Sequence, residues 1–275
     1  MASPTEITCP QLSRLIGTSD CPIIIDVRID ADFAADPYLI PSAFRHPFNR
    51  IIEIADQLLH DKPAHKRVVI YCQKGFKVSQ GAAALLRTYG VQTETLQGGQ
   101  FLWRDAGLPL LTLDNLPAPD KTGATLWVTK HRPKIDRIAC PWLIRRFIDT
   151  KAKFLFVAPS QVINVAEKFN ATPFDVEDVF WSHQDEFCTF DKLLSEFNLH
   201  TPALDKLAVI VRAADTNCLE LAPEAAGLLA VSLGLSRIYR DDLSQLEAGF
   251  DLYDAFYRWA RDASNESHHW PASIN

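Results

Sequence analysis

Short runs of consecutive apolar residues alternate with helix-like stretches in the first part of the chain. Residues 22–27 and 67–72 have the continuous apolar character of strands buried on both faces, and a weaker run covers 93–96. Between the last two runs, residues 79–87 have a helical pattern that Gly90 ends. Continuous apolar strands joined by helices are typical of a parallel sheet covered on both faces. We therefore predict an α/β fold for this part.

The second part of the chain has the apolar spacing of a mainly helical domain with a few strands. A strand is predicted at 153–157, followed by a helix that Ser160 caps and that continues to about Phe169. Three- and four-residue spacing predicts further helices that begin near Thr189, cover 204–214, cover 223–233 with Pro223 in the first turn, and start at Asp241 and Asp242.

A stretch rich in turn-forming residues divides the two parts. Residues 113–123 contain two prolines, a glycine and several Asp or Asn residues, which is the composition of a linker. We therefore predict a first domain over 1–112, a second domain over 124–262, and a loosely held polar tail over 263–275.

The composition excludes several broad classes of protein. The chain has 275 residues, of which 47% are hydrophobic, and a formal net charge of −6, which disfavours nucleic acid as a partner. No apolar run approaches the ~18 residues of a membrane span, and the first residues lack the pattern of a signal peptide. The six cysteines form no Cys-x-x-Cys pair. These features predict a cytoplasmic protein with reduced thiols and no membrane contact.

The most informative cysteine lies at the end of a predicted strand. Cys72 ends the run 67–72 and precedes the helix over 79–87, a position where ligands bind in open α/β sheets. Backbone N–H groups and the start of the helix favour an anion there, and they favour the thiolate of Cys72. The alternative is a buried cysteine beside an ordinary turn. The predicted anion-binding loop consists of Gln73, Lys74, Gly75, Phe76, Lys77 and Val78.

Several motifs in the first domain occur together in the order and spacing of a single rhodanese domain, which residues 8–111 resemble. The resemblance implies that Cys72 takes up a sulfane sulfur as a persulfide and passes it to an acceptor, and that the amides of 73–78 hold the anion. It also implies that Asp26 and Arg28 brace the loop region, which places Arg28 beside the substrate. The alternative, a purely structural contact between Asp26 and Arg28, is favoured over a catalytic role for the pair. The motifs are 25–28, 40–44, 72–75, 96–103 and 106–109.

One position departs from the rhodanese pattern. Loops that act on thiosulfate usually carry Arg where this chain has Lys77. An Arg side chain holds an oxyanion with two parallel donors, whereas Lys offers a single point charge. We therefore expect thiosulfate to be a poor donor for this protein.

A local excess of Lys and Arg over 130–153 stands out in a domain that is otherwise acidic. Cys140 and Pro141 have the pattern of a helix start, and a basic helix start suits a tetrahedral oxyanion such as sulfate, phosphate or chromate. The alternative is a solvated face with surface ion pairs. The predicted anion-binding residues are Arg132, Arg145 and Arg146.

Metal-ligand residue types occur further along the second domain. His183 and Glu186 are three residues apart, so on one helical turn they would share a face and could serve a divalent metal. Asp136 and Asp215 are the predicted additional ligands, with His131 as another partner. The alternative is a satisfied polar cluster. A zinc site built from Cys140, Cys188 and Cys218 is less favoured, because these cysteines have no paired spacing.

The second domain, over about 124–262, is similar to the C-terminal domain of the chromate-resistance ChrB family. The resemblance implies a role in chromate resistance or its regulation, although regulatory members carry an N-terminal DNA-binding region where this chain has the rhodanese-like domain. The segments that carry it are 132–148, 181–183, 186–191, 213–216 and 235–242.

Two functions of different classes remain open from the sequence. The first is a sulfurtransferase that moves sulfur from a small donor to a thiol acceptor through Cys72, without a cofactor for that step. The second is a sensor or binding protein for an oxyanion or metal, in which the rhodanese-like domain responds to thiols without turnover. The intact loop around Cys72 and Gly75 favours the enzyme, and Lys77 slightly favours the sensor.

Overall fold

The computed structural model describes residues 4–60 and 67–266. The polar tail predicted over 263–275 therefore lies largely outside the described residues. The chain forms two compact units. The first contains Met1–Thr125, Leu143–Lys153 and Glu196–Leu199, and the second contains Leu126–Trp142, Phe154–Ser195 and His200–Asn275. Segments beyond the predicted linker thus return to the first unit.

The first unit is built on a five-stranded parallel sheet whose strand order is β1-β5-β4-β2-β3. The two central strands, β2 and β4, pair from Ile23 opposite Val68 to Asp26 opposite Tyr71. The strands are β1 Glu6–Ile7, β2 Ile23–Asp26, β3 Ala43–Arg45, β4 Val68–Tyr71 and β5 Thr93–Leu96. The helices are α1 Cys9–Leu15, α2 Asp30–Ala35, α3 Ala55–His60, α4 Lys77–Thr88 and α5 Gly99–Asp105, with a 3₁₀ segment at Phe48–Ile54.

The predicted parallel α/β fold of this unit is confirmed. Strand β5 coincides with the predicted run, and β2 and β4 lie inside the runs predicted for them. Every residue of β4 is buried, as expected of a strand that is covered on both faces. Helix α4 begins two residues earlier than predicted and buries its small residues, such as Ala82 and Ala83, against the sheet. The short strands β1 and β3 have too few residues for a pattern of their own.

The later part of the chain is mainly helical with one small sheet, as predicted. Its three strands, in the order β7-β6-β8, are β6 Leu126–Lys130, β7 Lys153–Val157 and β8 Thr172–Pro173. Its helices are α6 Asp136–Leu143, α7 Val162–Phe169, α8 Thr189–Glu196, α9 Pro202–Asp215, α10 Ala225–Ile238 and α11 Asp242–Arg258. None of the helices in the described residues has the length and apolar character that a membrane crossing requires.

Three predicted helix starts are wrong. Helix α6 begins at Asp136 rather than at Cys140, and Pro141 lies inside it, because an acidic residue in the first turn suits the helix dipole. A 3₁₀ turn that Pro159 opens precedes α7, so Ser160 lies inside this turn and does not cap the helix. Pro223 lies ahead of α10, which begins at Ala225.

Candidate functional sites

Cys72 lies directly after β4, a central strand of the parallel sheet, and five residues before α4. Its side chain is buried, with 6% of the residue exposed. The first N–H groups of a helix point toward the segment that precedes it, which for α4 is the loop that contains the cysteine. Phe76 precedes α4 and provides no side-chain cap for these N–H groups. The loop therefore offers a thiol next to the positive end of a twelve-residue helix.

Glycines let the Cys72 loop pack closely against the start of α5. Gly75 and Gly99 both have positive φ angles, +72° and +58°. A Cβ atom on Gly99 would lie 2.1 Å from the Cys72 carbonyl oxygen. The backbone N–H of Gln100 donates to this same oxygen at 3.0 Å, and that of Phe101 donates to the carbonyl of Gln73. The start of α5 thus supports the loop through its backbone, and Gly98–Gly99 serves the turn.

The predicted loop residues differ in exposure. Lys74 and Lys77 are exposed, Gln73 and Val78 are partly buried, and Gly75 is buried. Phe76 is 65% exposed, which is unusual for a large apolar side chain. Two ammonium groups and an aromatic ring are therefore available to solvent beside the buried thiol.

Arg28 does not have the substrate-contacting position that was predicted for it. Its side chain is fully buried and paired with Asp26, with 2.7 Å between Nη2 and Oδ2. Its guanidinium also donates to the carbonyl oxygens of Asp36 and Tyr38. Because these partners occupy its donors, Arg28 ties the end of β2 to the following loop and braces the fold.

A second group of reactive side chains lies in the second unit, after the ends of two parallel strands. Strand β6 is followed by a loop that leads to Asp136, and β8 is followed directly by Phe174 and Asp175. The backbone of this region is unusual, because Ile135 and Asp175 have positive φ angles of 41° and 50°. Such conformations are costly for residues with a Cβ and often occur at functional sites.

Three carboxylates surround one imidazole in this group. The Nε2 atom of His183 lies 3.2 Å from Asp215 Oδ2, 3.3 Å from Asp175 Oδ1 and 3.6 Å from Asp136 Oδ2. Asp136 is fully buried, whereas the His183 side chain is 38% exposed. The group therefore has a buried base and an opening to solvent.

The electrostatics of this group favour a positive charge at the imidazole. Interaction with Asp136, and then with Asp175 and Asp215, raises the pKa of His183 to about 12. Burial raises the pKa of Asp136 to about 6, and repulsion from Asp215 and Asp175 adds to this rise. The cluster thus has more negative charge than one imidazole offsets.

The expectation for His183 and Glu186 is wrong in its geometry. Residues 183–186 are not helical, because Gln184 and Phe187 pair through their backbones and close a tight turn. Glu186 lies exposed in this turn, and the set of potential metal ligands found in the described residues contains Asp136, Asp175 and His183. Sequence reasoning missed Asp175, because the strand that precedes it has only two residues and no apolar pattern of its own.

Of the three predicted anion-binding arginines, only Arg132 belongs to the same unit as this group. Arg132 donates through Nη1 and Nη2 to backbone carbonyls of Ser236, Tyr239 and Arg240 at the end of α10. Arg145 and Arg146 belong to the first unit, where Arg145 Nε donates to the Ala152 carbonyl. Arg132 therefore caps a helix C-terminus, since that is where a cation neutralises the last carbonyls.

Two cysteines border the acidic group without forming a thiolate site. The Cys140 thiol donates to Asp136 Oδ1 at 3.2 Å, and the Cys188 thiol donates to Asp191 Oδ2 at 3.3 Å. Burial raises the pKa of both thiols well above their usual value. Both thiols thus donate to carboxylates, and the set of potential metal ligands found in the described residues contains neither cysteine.

Each part of the chain matches the model of a known protein family. Residues 8–106 match the rhodanese-like domain, and residues 127–260 match the family described as ChrB, C-terminal domain. Protein ChrB of Cupriavidus metallidurans is 30% identical over 192 residues, which is 65% of this chain. The chain spans 57% of the length of that relative.

Two further similarities concern the first part alone. A protein named sulfurtransferase from Allochromatium vinosum is 29% identical over 106 residues, which is 38% of this chain and 94% of that protein. The crystal structure of a rhodanese-related protein from Thermoplasma volcanium covers 38% of this chain and 95% of its own, with 19% identity and a TM-score of 0.32.

Proposed function

Because the chain joins a rhodanese-like domain to a ChrB C-terminal domain, we propose that it is a sulfurtransferase that carries sulfane sulfur as a persulfide on Cys72. The observation that carries the proposal is the position of this cysteine. Its thiol lies between the end of a central strand and the uncapped start of α4, where a helix N-terminus favours an anionic sulfur.

The proposed reaction consists of two substitutions at sulfur. The Cys72 thiolate attacks the outer sulfur of a small donor, the new S–S bond forms, and the bond to the leaving group breaks with its electron pair. With thiosulfate the leaving group is sulfite, and the transferred sulfur remains an anion on Cys72. An acceptor thiolate then attacks that outer sulfur and releases the Cys72 thiolate. This sequence needs no cofactor.

The loop around Cys72 supports this chemistry in two ways. Backbone N–H groups at the start of α4 favour the thiolate before transfer and the terminal persulfide sulfur after it. Lys74 on the loop and Lys77 at the start of α4, which are both exposed, attract anionic donors toward the thiol. The exposed ring of Phe76 lies between these two lysines in the sequence and offers an apolar contact to an acceptor.

A turnover assay with Cys72→Ser and a matched variant tests the proposal. Cys21→Ser is the control, because Cys21 lies in the same unit and is also 6% exposed. Sulfur transfer from thiosulfate or an organic persulfide to cyanide or a thiol is expected in the wild type and in Cys21→Ser. It is expected to be lost in Cys72→Ser. Equal turnover in Cys72→Ser would refute the proposal.

We also propose that this activity serves chromate resistance in a reducing cytoplasm. The resemblance of residues 127–260 to the ChrB family supports the first point, and the six free thiols support the second. A host strain that lacks the gene should become more sensitive to chromate. The wild-type chain should restore tolerance and Cys72→Ser should not, whereas restoration by both would separate the resistance from sulfur transfer.

A further inference from the structure

The acidic group of the second unit has the geometry of a metal-binding site. The ligand atoms of Asp136, Asp175 and His183 all lie within 4.8 Å of one another. From His183 Nε2 to the two carboxylates the distances are 3.3 and 3.6 Å. Donors bound about 2.0–2.1 Å from one tetrahedral ion lie about 3.3 Å apart, so the observed spacing matches ligands around a shared centre.

Hydrogen bonding alone does not explain this spacing. Good N–H···O bonds span about 2.7–3.2 Å, and the three contacts of His183 Nε2 lie at or beyond the long end of this range. One imidazole nitrogen also carries at most one hydrogen, so it satisfies only one of the three carboxylates. A protonated imidazole therefore offsets the charge of only one of the three carboxylates, one of which belongs to the fully buried Asp136.

Protein donors hold the carboxylates in place. Asp136 accepts from the backbone N–H groups of Thr189 and Phe190 at the start of α8, at 2.8 and 3.1 Å. Arg137 Nε lies 3.1 Å from Asp175 Oδ2, which leaves Oδ1 toward the imidazole. Donors of this kind orient metal ligands and are a regular feature of metal sites. The arrangement is therefore preorganised by the backbone and by neighbouring side chains.

The charge of the ligand set matches one divalent ion. Two carboxylates and a neutral imidazole carry two negative charges. Carboxylates suit Mn²⁺ and imidazole suits Zn²⁺ and Fe²⁺, so the mixed set selects a divalent transition metal. Three protein ligands leave coordination positions open, which is the pattern of sites that bind water or substrate.

We propose that Asp136, Asp175 and His183 bind one divalent transition-metal ion, with its remaining coordination positions open to water or an anion. Asp215 borders the site, where it contacts the imidazole and lies 3.4 Å from the Asp136 backbone nitrogen. The site is reached from the side of His183, which is the more exposed of the three ligands.

Titration of the full-length, chelator-treated protein with Mn²⁺, followed by electron paramagnetic resonance, tests the proposal. The wild type is expected to bind one Mn²⁺ per chain, and Zn²⁺ is expected to displace it. Asp175→Asn and His183→Gln remove partly exposed ligands, and each should weaken binding by ~10-fold or more. Glu186→Gln is the matched control, because this carboxylate is close in sequence but lies in the exposed turn.

Circular dichroism of each variant establishes that it is folded before its affinity is compared. Wild-type affinity in Glu186→Gln, together with weak binding in folded Asp175→Asn and His183→Gln, would support the assignment. The proposal would be overturned by the absence of saturable binding of either ion to the wild type. Unchanged affinity in both folded ligand variants would overturn it as well, as would equal weakening in Glu186→Gln.

Discussion

The thiol of Cys72 lies 3.2 Å from the hydroxyl of Ser79, a fully buried residue in the first turn of α4. The same hydroxyl also lies 3.2 Å from the Phe76 carbonyl oxygen, to which it donates. A hydroxyl has one hydrogen, so it donates either to the carbonyl or to the sulfur. When the thiol ionises, the hydroxyl can turn to the sulfur and stabilise the anion.

Ser79→Ala is therefore expected to slow the chemistry at Cys72. A hydrogen bond to a charged group contributes about 1.5–3 kcal/mol, so its loss should lower the rates of thiol alkylation and sulfur transfer about tenfold or more. Thr88→Ala is the matched control, because Thr88 lies on the same helix and donates to the carbonyl three residues earlier. An alkylation rate in Ser79→Ala equal to that of the control would show that the hydroxyl has no such role.

The cation at position 77 should affect anionic donors more than neutral ones. Lys77 is exposed at the start of α4, so its interaction with an anionic donor is expected to contribute about 0.5–1 kcal/mol. This contribution corresponds to about a two- to fivefold change in kcat/KM. With thiosulfate, Lys77→Ala should decrease kcat/KM and Lys77→Arg should increase it, because Arg offers two parallel donors. A neutral organic persulfide is the control donor. Identical kinetics of all three proteins with thiosulfate would place the side chain away from the donor.

Close packing at Gly99 should make it far less replaceable than another glycine of similar conformation. Gly90 and Gly99 have φ angles of +83° and +58°, so alanine at either position costs about 1–2 kcal/mol of backbone strain. A Cβ on Gly90 meets no atom within 4 Å, whereas on Gly99 it collides with the Cys72 carbonyl. We expect denaturant unfolding to show a clearly larger loss of stability in Gly99→Ala, with loss of sulfur transfer. Equal stability of the two variants would contradict this packing.

The buried pair of Arg28 and Asp26 should contribute to stability rather than to turnover. Removing one partner of a buried ion pair costs about 3–5 kcal/mol, so Arg28→Met should strongly lower the free energy of unfolding. Arg50→Met, which breaks the exposed pair with Glu53, should leave it unchanged within error. A marked rise in KM for Arg28→Met without loss of stability would instead support the substrate-contacting role.

The fold of the first unit and the Cys72 loop could be predicted from the sequence because their signals are local. Strand β4 is a continuous apolar run, and a helical pattern follows Cys72 a few residues later. The acidic group of the second unit could not be predicted in this way, because loops without periodicity bring Asp175 and His183 together. Positive φ angles at Asp175 and Asp185 shape these loops, and although Asp adopts such angles more often than most residues, the sequence alone does not show which Asp residues do so. The three-residue spacing of His183 and Glu186 was mistaken for a helical turn for the same reason.

Mass spectrometry of the intact full-length chain after incubation with a sulfane donor tests the central claim most directly. The account predicts that the wild type gains the mass of one sulfur atom, that peptide mapping places it on Cys72, and that a thiol acceptor removes it. Cys21→Ser should gain the same mass, and Cys72→Ser should gain none. A wild-type chain that gains no sulfur from thiosulfate or an organic persulfide, or a Cys72→Ser chain that gains as much, would contradict it.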